Sequence, residues 1–536
     1  MGAGILATRV FGLFRQTLFS HAFGTSPAAG AFYSALRIPN FLQNLLGEGV
    51  LSASFIPVYS GLRAEGRHEE ADDVASTVFA LLLLAVTVIV PLGVLFTPQL
   101  VVALVPGFEG EVRALTVSLV RIIFPGTGVM VLSAWCLGIL NSHRRFFLSY
   151  SAGVVWNGAM IAALLLTRGL PEATAIGWVA WGFVAGGVLQ VAAQLPAVLR
   201  LVGEFRPRLR RLSPSVRQVL KGFVPVVASR GVVQISAYAD TAYSSLISAR
   251  AVAALSSTQT ISLLPISLFA MAISAAELPE LSSEGGQAPE ARSRALRTRL
   301  GTALERMAFF VVPSAAGFVV AGDAMAAVLL QSGAFPAADT RYVWYILAGA
   351  GVGLLAQTSG RLYSSVFYAL KDTATPFRFA AVRVGLGVTV GYWAVRLLPG
   401  QLGLPAHLGA VFVTLTSGLS AWVEVTLLKR SLGRRLGELP SIRGRLAVLW
   451  ACAGVAGAIT LLAKAGMVAT WGPMAGQASE WMGGVMPMPA LPVAWFPQKL
   501  AGLALLLVYG LSYLSCTLVA GVPQSRGVVE RLLARR

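Results

Sequence analysis

The chain has 536 residues, of which 56% are hydrophobic and 12% charged, with a mean hydropathy of +0.72. These values exclude an ordinary soluble globular protein and indicate a polytopic membrane protein. The formal net charge of +19 would suggest nucleic acid in a soluble chain, but here the basic residues cluster in short segments between long apolar runs, which is a topology pattern and not a nucleic-acid surface.

The first element, 2–22, reads as a membrane helix. It is not expected to be a signal peptide, because Arg9 and Arg15 interrupt the apolar region and no small-residue cleavage site follows. The second element, 28–60, carries Arg37 and is too long for one straight span: about 50 Å as a helix against a hydrocarbon core of about 30 Å. Pro39, Gly47, Gly49 and Pro57 supply breaks, and Asn40 and Asn44 are expected to satisfy the backbone groups those breaks release. Further spans are predicted at 74–97, 113–140, 147–167, 174–199, 218–248, 253–281, 301–321, 342–369, 377–396, 406–428, 443–465 and 498–520, fourteen in all. Span eight resembles span two in its prolines, Pro265 and Pro279, and both follow a helix with an early arginine, a hint of duplication.

The segment from Leu201 to Arg217 is basic with scattered leucines and is expected along the cytoplasmic headgroups. The stretch 467–497, with Trp471, Trp481 and Trp495, is expected at the outer interface. Gly182/Gly186 and Gly349/Gly353 have the spacing of helix-packing glycines rather than of a nucleotide loop. The three cysteines, Cys136, Cys452 and Cys516, lie in apolar runs and imply no disulfide framework.

Charge distribution orients the chain. Counted with the end turns of the flanking spans, the even-numbered connections and the C-terminal tail hold 27 of the 42 basic residues and the odd-numbered ones 7, which places both termini in the cytoplasm. The remaining eight lie within spans: Arg9, Arg15, Arg37, Arg121, Arg230, Arg306, Arg361 and Arg383. An arginine at the bilayer centre costs roughly 2.5–3.5 kcal/mol, so Arg9, Arg15 and Arg37 facing lipid would cost on the order of 8–10 kcal/mol together. They must face a polar space, and guanidinium groups lining such a space attract phosphates, whose oxygens match the planar fork.

The opening stretch Thr8-Arg9-Val10-Phe11-Gly12 with Arg15, then Ala22-Phe23-Gly24, Ala31-Phe32, Arg37-Ile38-Pro39-Asn40 and Gly47-Glu48-Gly49 to Phe55-Ile56-Pro57, resembles the opening of the MurJ (MviN) family of lipid II flippases. That family belongs to a superfamily that also holds multidrug exporters and polysaccharide flippases. Pro106-Gly107-Phe108, Gly138-Ile139-Leu140-Asn141, Gln234-Ile235 with Asp240, and Phe367 to Asp372-Thr373 with Thr375-Pro376 extend the resemblance over almost the whole chain.

The resemblance implies an all-α membrane protein of about 14 helices, with two six-helix lobes around a central cationic cavity and two C-terminal helices forming a groove for the lipid tail. On this chain the lobes would be 1–200 and 218–430, joined by an amphipathic linker at 201–217, with 431–536 supplying the last pair. The implied substrate is lipid II, a polyprenyl pyrophosphate carrying a disaccharide pentapeptide, moved from the inner to the outer leaflet for peptidoglycan synthesis. Its implied setting is the bacterial cytoplasmic (inner) membrane, as a monomer among membrane lipids beside cell-wall synthesis enzymes.

Arg9 and Arg15 match two arginines that the family uses for its substrate, and Arg37 sits where the family usually has a basic residue. Six helical residues turn Arg9 and Arg15 about 120° apart, so they would grip different parts of one headgroup. The resemblance also shows departures. Gly30 stands where aspartate is common, Gln16 replaces an acid, Gln43-Asn44 replaces a basic pair, and Thr260, after Gln259, replaces the arginine expected in span eight. Arg230 on span seven is expected to supply the missing cation, so the candidate substrate-binding set is Arg9, Arg15, Arg37 and Arg230, with Asn40 and Glu48 from the same motifs.

Asp240 and Glu424 are the ion-coupling candidates, because a carboxylate inside a bundle must be paired, protonated or bound to a cation. Coupling to Na+ or H+ and to the membrane potential is implied, with no other cofactor. Ten helical residues, about 15 Å, exclude direct pairing of Asp240 with Arg230. Three other readings remain open. Another polyprenyl-linked glycan could be the cargo. A membrane enzyme acting on polyprenyl phosphates would display acid/base or metal-binding loops, whereas His21, His68, His143 and His407 are scattered and no metal or nucleophile constellation is present. A cell-wall scaffold would not need charge inside its membrane helices.

Overall fold

The computed structural model describes residues 2–207, 213–266, 289–370, 372–471 and 495–533, and among these the regular structure is all helical, without a strand. Ten helices among the described residues are long and apolar enough to cross a membrane. Over their described residues the fourteen predicted spans fall on helices, the second of them divided at Gly47; Glu277, Pro279 and Glu280 of span eight, and most of 467–497, lie outside the described residues. By contact the chain forms two compact units, Met1–Ala253 and Ala254–Arg536.

Unit 1 holds α1 (Gly2–Phe23), α2 (Pro27–Leu46), α3 (Glu48–Ala64), α4 (His68–Leu95), α5 (Thr97–Leu104), α6 (Gly110–Ser142), α7 (Phe146–Leu166), α8 (Glu172–Leu201) and α9 (Pro214–Ile247). Ser26 caps α2 by accepting from the Ala29 amide at 3.2 Å, and Pro27 opens the helix with φ already suited to it. Ser213-Pro214 repeats the device at α9. The long second span is broken once, at Gly47, while Pro39 and Pro57 are carried inside α2 and α3. Asn40 and Asn44 do not serve the break as expected; the Gly47 amide bonds to the Gln43 carbonyl.

α1 lies along α7, α2 packs on α6, and α6, α7 and α8 pack together around an aromatic core that includes Phe19, Phe32, Phe124 and Phe183. α9, which the sequence assigns to a second lobe, packs on α2, α3, α4 and α5 of unit 1. The segment after α8 turns onto α4, with the Glu204 amide on Asp72 Oδ2 at 3.2 Å and the Arg206 amide on Ser76 Oγ at 3.1 Å. Its first residues are thus held on α4.

α10 (Ala249–Pro265) leads into unit 2, which holds α11 (Pro289–Val320), α12 (Gly322–Leu329), α13 (Ala337–Ala369), α14 (Ala374–Gln401), α15 (Gly409–Leu436), α16 (Arg443–Trp471), α17 (Trp495–Val519) and α18 (Pro523–Leu533). The short α12 follows α11 as the short α5 follows α4, which strengthens the reading of a duplicated architecture. A Cβ at Gly353 would lie 2.3 Å from Gly418 Cα, so the backbones of α13 and α15 touch. Gly182 meets Ala163 of α7 in the same way, so the glycine pairs serve helix packing.

α16 and α17 form a hairpin packed on α11 and α12. Pro313 inside α11 lacks an amide hydrogen, which frees the carbonyl of Phe309 four residues earlier. Tyr513 Oη donates to that carbonyl at 2.8 Å, and Tyr509, one turn away on α17, donates to the Pro313 carbonyl at 2.7 Å. A helix break in apolar surroundings is thereby satisfied by the neighbouring helix.

The motif Asp372-Thr373 with Thr375-Pro376 has a structural account. Asp372 accepts from the Thr375 amide at 3.0 Å and the Thr375 hydroxyl at 2.6 Å, capping α14, and pairs with Arg435 at 2.6 Å. Thr375 and then Arg435 hold the Asp372 carboxyl below the usual carboxylate range. A depressed folded value stabilises above the unfolded value of about 3.9 and stops doing so as pH falls through the folded value. Asp372→Ala, which removes both capping acceptors, is therefore expected to cost about 1 kcal/mol at pH 7. Thermal midpoints of the two proteins should converge as the pH falls below about 4, and a gap unchanged at pH 3 would contradict the capping role.

Candidate functional site

Inside unit 1 the break at Gly47 and the start of α3 leave one side of α2 facing α9 across a cavity of about 560 Å³. Arg37, Asn40 and Asn44 of α2 line it at helical spacings of three, four and seven, which puts them on one face. Gln43, Ser52, Gln234 and Tyr238 complete a wall rich in amides and hydroxyls, with Arg37 its charged member. Tyr238 Oη donates to the Arg37 carbonyl at 2.8 Å and its ring meets Phe41 edge-on at 5.5 Å, so α9 holds the α2 face in place. Asp240 lies within electrostatic reach of Arg37. Amides, hydroxyls and one guanidinium suit sugar hydroxyls and a phosphate.

The structure separates the arginines that the sequence groups together. Arg15 turns to α7: its guanidinium lies 4.9 Å over the Trp156 ring, with Nη1 3.3 Å from Met160 Sδ. Its Nε is buried without a hydrogen-bond partner, and among the described residues no carboxylate pairs with it. Arg9, two turns earlier on α1, is exposed. Neither lines the Arg37 cavity, because α1 packs against α7 whereas the cavity lies between α2 and α9. Glu48 and Arg230 fall on α3 and α9, but their side chains lie outside the described residues.

Two departures from the family pattern have local causes. Gln16 is buried and donates through Nε2 to Tyr33 Oη at 2.6 Å, a neutral contact between α1 and α2. Gly30 touches the backbone of Ala249, and a Cβ there would sit 2.2 Å from the Ala249 carbonyl oxygen.

In unit 2, Glu424 on α15 accepts from Arg383 Nη1 of α14 at 3.2 Å, so this candidate coupling carboxylate is engaged by a cation of the protein. Arg361 on α13 lies within electrostatic reach of Arg383. Thr260 bonds its hydroxyl to the Ser256 carbonyl of its own helix. Sequence reasoning passed over Tyr238, Gln234 and Ser52 as site residues, although the i, i+4 spacing of Gln234 and Tyr238 was a usable signal. It also passed over Lys464, which is buried against Asp323.

The fold is that of a polytopic helical membrane protein with a polar chamber between its helices. Its fold matches an inward-facing multidrug resistance MATE family transporter of the MOP superfamily at a TM-score of 0.64 and 19% identity, covering 80% of this chain and 95% of that one. A structure of lipid II flippase MurJ in an inward closed conformation matches at a TM-score of 0.75 and 22% identity, covering 97% of this chain and 98% of that one.

Residues 19–478 match the family described as lipid II flippase MurJ. The probable lipid II flippase MurJ of Rhizobium tropici is 29% identical over 100% of this chain and 96% of its own length. That of Rhizobium meliloti (strain 1021) is 30% identical over 80% of this chain and 78% of its own length. The chain belongs to the MurJ family of lipid II flippases.

Proposed function

We propose that the chain moves lipid II from the cytoplasmic to the outer leaflet of the bacterial inner membrane by alternating access, as a transporter and not an enzyme. The observation that carries the reading is the Arg37 cavity, a polar chamber with one guanidinium inside membrane helices of a chain of this family. Arg37 takes a pyrophosphate oxygen pair, while Asn40, Gln43, Asn44 and Gln234 bond to sugar or peptide groups. Arg9 and Arg15 act in the same transport from other positions on α1, and Arg230 and Glu48 belong to the same helices as the cavity wall. The organisation into two lobes and a C-terminal pair, with both termini in the cytoplasm, agrees with the distribution of basic residues.

Asp240, in reach of Arg37, is the better candidate for coupling transport to Na+, H+ or the membrane potential, since Glu424 already holds Arg383. The protein works as a monomer beside cell-wall synthesis enzymes.

The test is replacement of an endogenous flippase under depletion, with lipid II on the outer leaflet measured by an externally added enzyme that cleaves it. The wild-type chain is expected to restore the signal. Arg37→Ala should reduce it at least tenfold, and Arg37→Lys should fall between, since lysine keeps the charge but loses the fork. Imposing Na+, proton and voltage gradients singly on proteoliposomes identifies the coupling force. A wild-type chain that leaves lipid II inside would redirect the reading to another polyprenyl-linked glycan.

A further inference from the structure

α13 is enclosed by α11, α15 and α12, and over residues 353–369 every side chain but four is buried. The four are Gln357 and Ser364, half-buried, and Arg361 and Tyr368, exposed. Their spacings of four, three and four place them on one stripe, about 16 Å long at 1.5 Å per residue. All four are polar. An arginine exposed to lipid on a membrane helix is costly, so a stripe of four polar residues suits a water-filled space better than hydrocarbon.

Arg361 stands eight residues, about 12 Å, from the last residue of α13 and has no carboxylate partner among the described residues. Arg383 on α14 is within its electrostatic reach and is anchored by Glu424, whose charge is thereby spent. The cluster of two guanidiniums and one carboxylate keeps a net charge of about +1, with the uncompensated cation on the exposed stripe beside the Ser364 and Tyr368 hydroxyls. Unit 2 also lacks a cation at Thr260, where the family resemblance expects arginine, and Thr260 is turned back onto its own helix.

We infer that Arg361, with Arg383 beside it, forms a phosphate-binding site of unit 2 that takes a lipid-linked phosphate. The occupant is the diphosphate of the transported lipid, at a different stage of transport from its contact with Arg37, an assignment that rests on the flippase reading; the phosphate chemistry of the site does not. The guanidinium binds two phosphate oxygens, the hydroxyls supply further donors, and Glu424 keeps Arg383 from collapsing onto the anion.

The full chain in nanodiscs containing phosphatidylglycerol tests the site, with lipid II binding titrated and co-purifying phosphatidylglycerol counted by native mass spectrometry. Arg361→Gln is expected to weaken lipid II binding at least tenfold and leave phosphatidylglycerol retention unchanged. Arg361→Lys should lie between, and both variants should keep the wild-type thermal midpoint because the side chain is exposed. Loss of phosphatidylglycerol with lipid II binding intact would assign the site to bulk phospholipid and overturn its role in transport. Unchanged binding of both lipids overturns the site altogether. A wild-type chain that binds no lipid II refutes the flippase reading and leaves the phosphatidylglycerol arm to decide the site.

Discussion

Replacing Lys464 with methionine is expected to destabilise the protein by about 3–5 kcal/mol, because it strands a buried carboxylate. Lys464 on α16 and Asp323 at the start of α12 are 1% and 5% exposed, with Nζ 2.5 Å from Oδ2. Nζ also lies 4.7 Å over the Trp344 ring of α13. The contact is ionic and not an aligned hydrogen bond, since neither Lys464 Nζ nor either Asp323 oxygen has a hydrogen-bond partner. Removing one charge therefore leaves the other with nothing nearby to take its place. The double variant Lys464→Met/Asp323→Leu should recover most of the loss, as apolar replacement of a whole buried pair is often neutral. Thermal unfolding of the purified protein in detergent measures both. A single variant as stable as wild type would show that water reaches the pair.

The pair also explains how the C-terminal hairpin is fixed. Apolar contact alone distinguishes poorly between a neighbouring helix and lipid, since both are hydrocarbon. The Lys464–Asp323 pair and the Tyr509 and Tyr513 hydrogen bonds favour protein over lipid, and they hold α16 and α17 at one position along α11 and α12. Methionine at 464 should accordingly loosen the hairpin before it unfolds unit 2.

Gly30→Asp, which restores the residue common in the family, is expected to impair the protein and not to improve it. A Cβ at position 30 would lie 2.2 Å from the Ala249 carbonyl oxygen, backbone that no rotamer change can move. Overpacking of this kind costs about 1–3 kcal/mol for a single methyl, so Gly30→Ala should already lower the thermal midpoint. Aspartate adds a carboxylate pressed against a carbonyl oxygen, and its loss should be the larger. Yield of folded protein and complementation under flippase depletion measure the effect. Wild-type yield and activity for Gly30→Asp would show that α2 and the start of α10 need not touch.

Gly30 illustrates where reading by residue type stops. From the chain it is a missing acid; in the fold it is a contact point between two backbones. Gln16 reads as a lost charge and proves to be a neutral bond to Tyr33. Arg9, Arg15 and Arg37 share one apolar stretch and one energetic argument, yet Arg15 lies on Trp156 and Arg37 lines the cavity. The direction of each side chain depends on which helix packs against its face, and that partner is remote in sequence.

Hydropathy and charge distribution determined the membrane class, the helix positions and the need for a polar interior, because each depends on transfer free energies summed over neighbouring residues, while local motifs carried the family resemblance. Only the tertiary structure decided which residues share a chamber with Arg37, that Glu424 is held by Arg383, that Lys464 is buried with Asp323, and that residues 353–369 of α13 expose one polar stripe. Those outcomes depend on the rotation of each helix about its axis. Packing between segments far apart in the chain sets that rotation, and no local window of the sequence contains it.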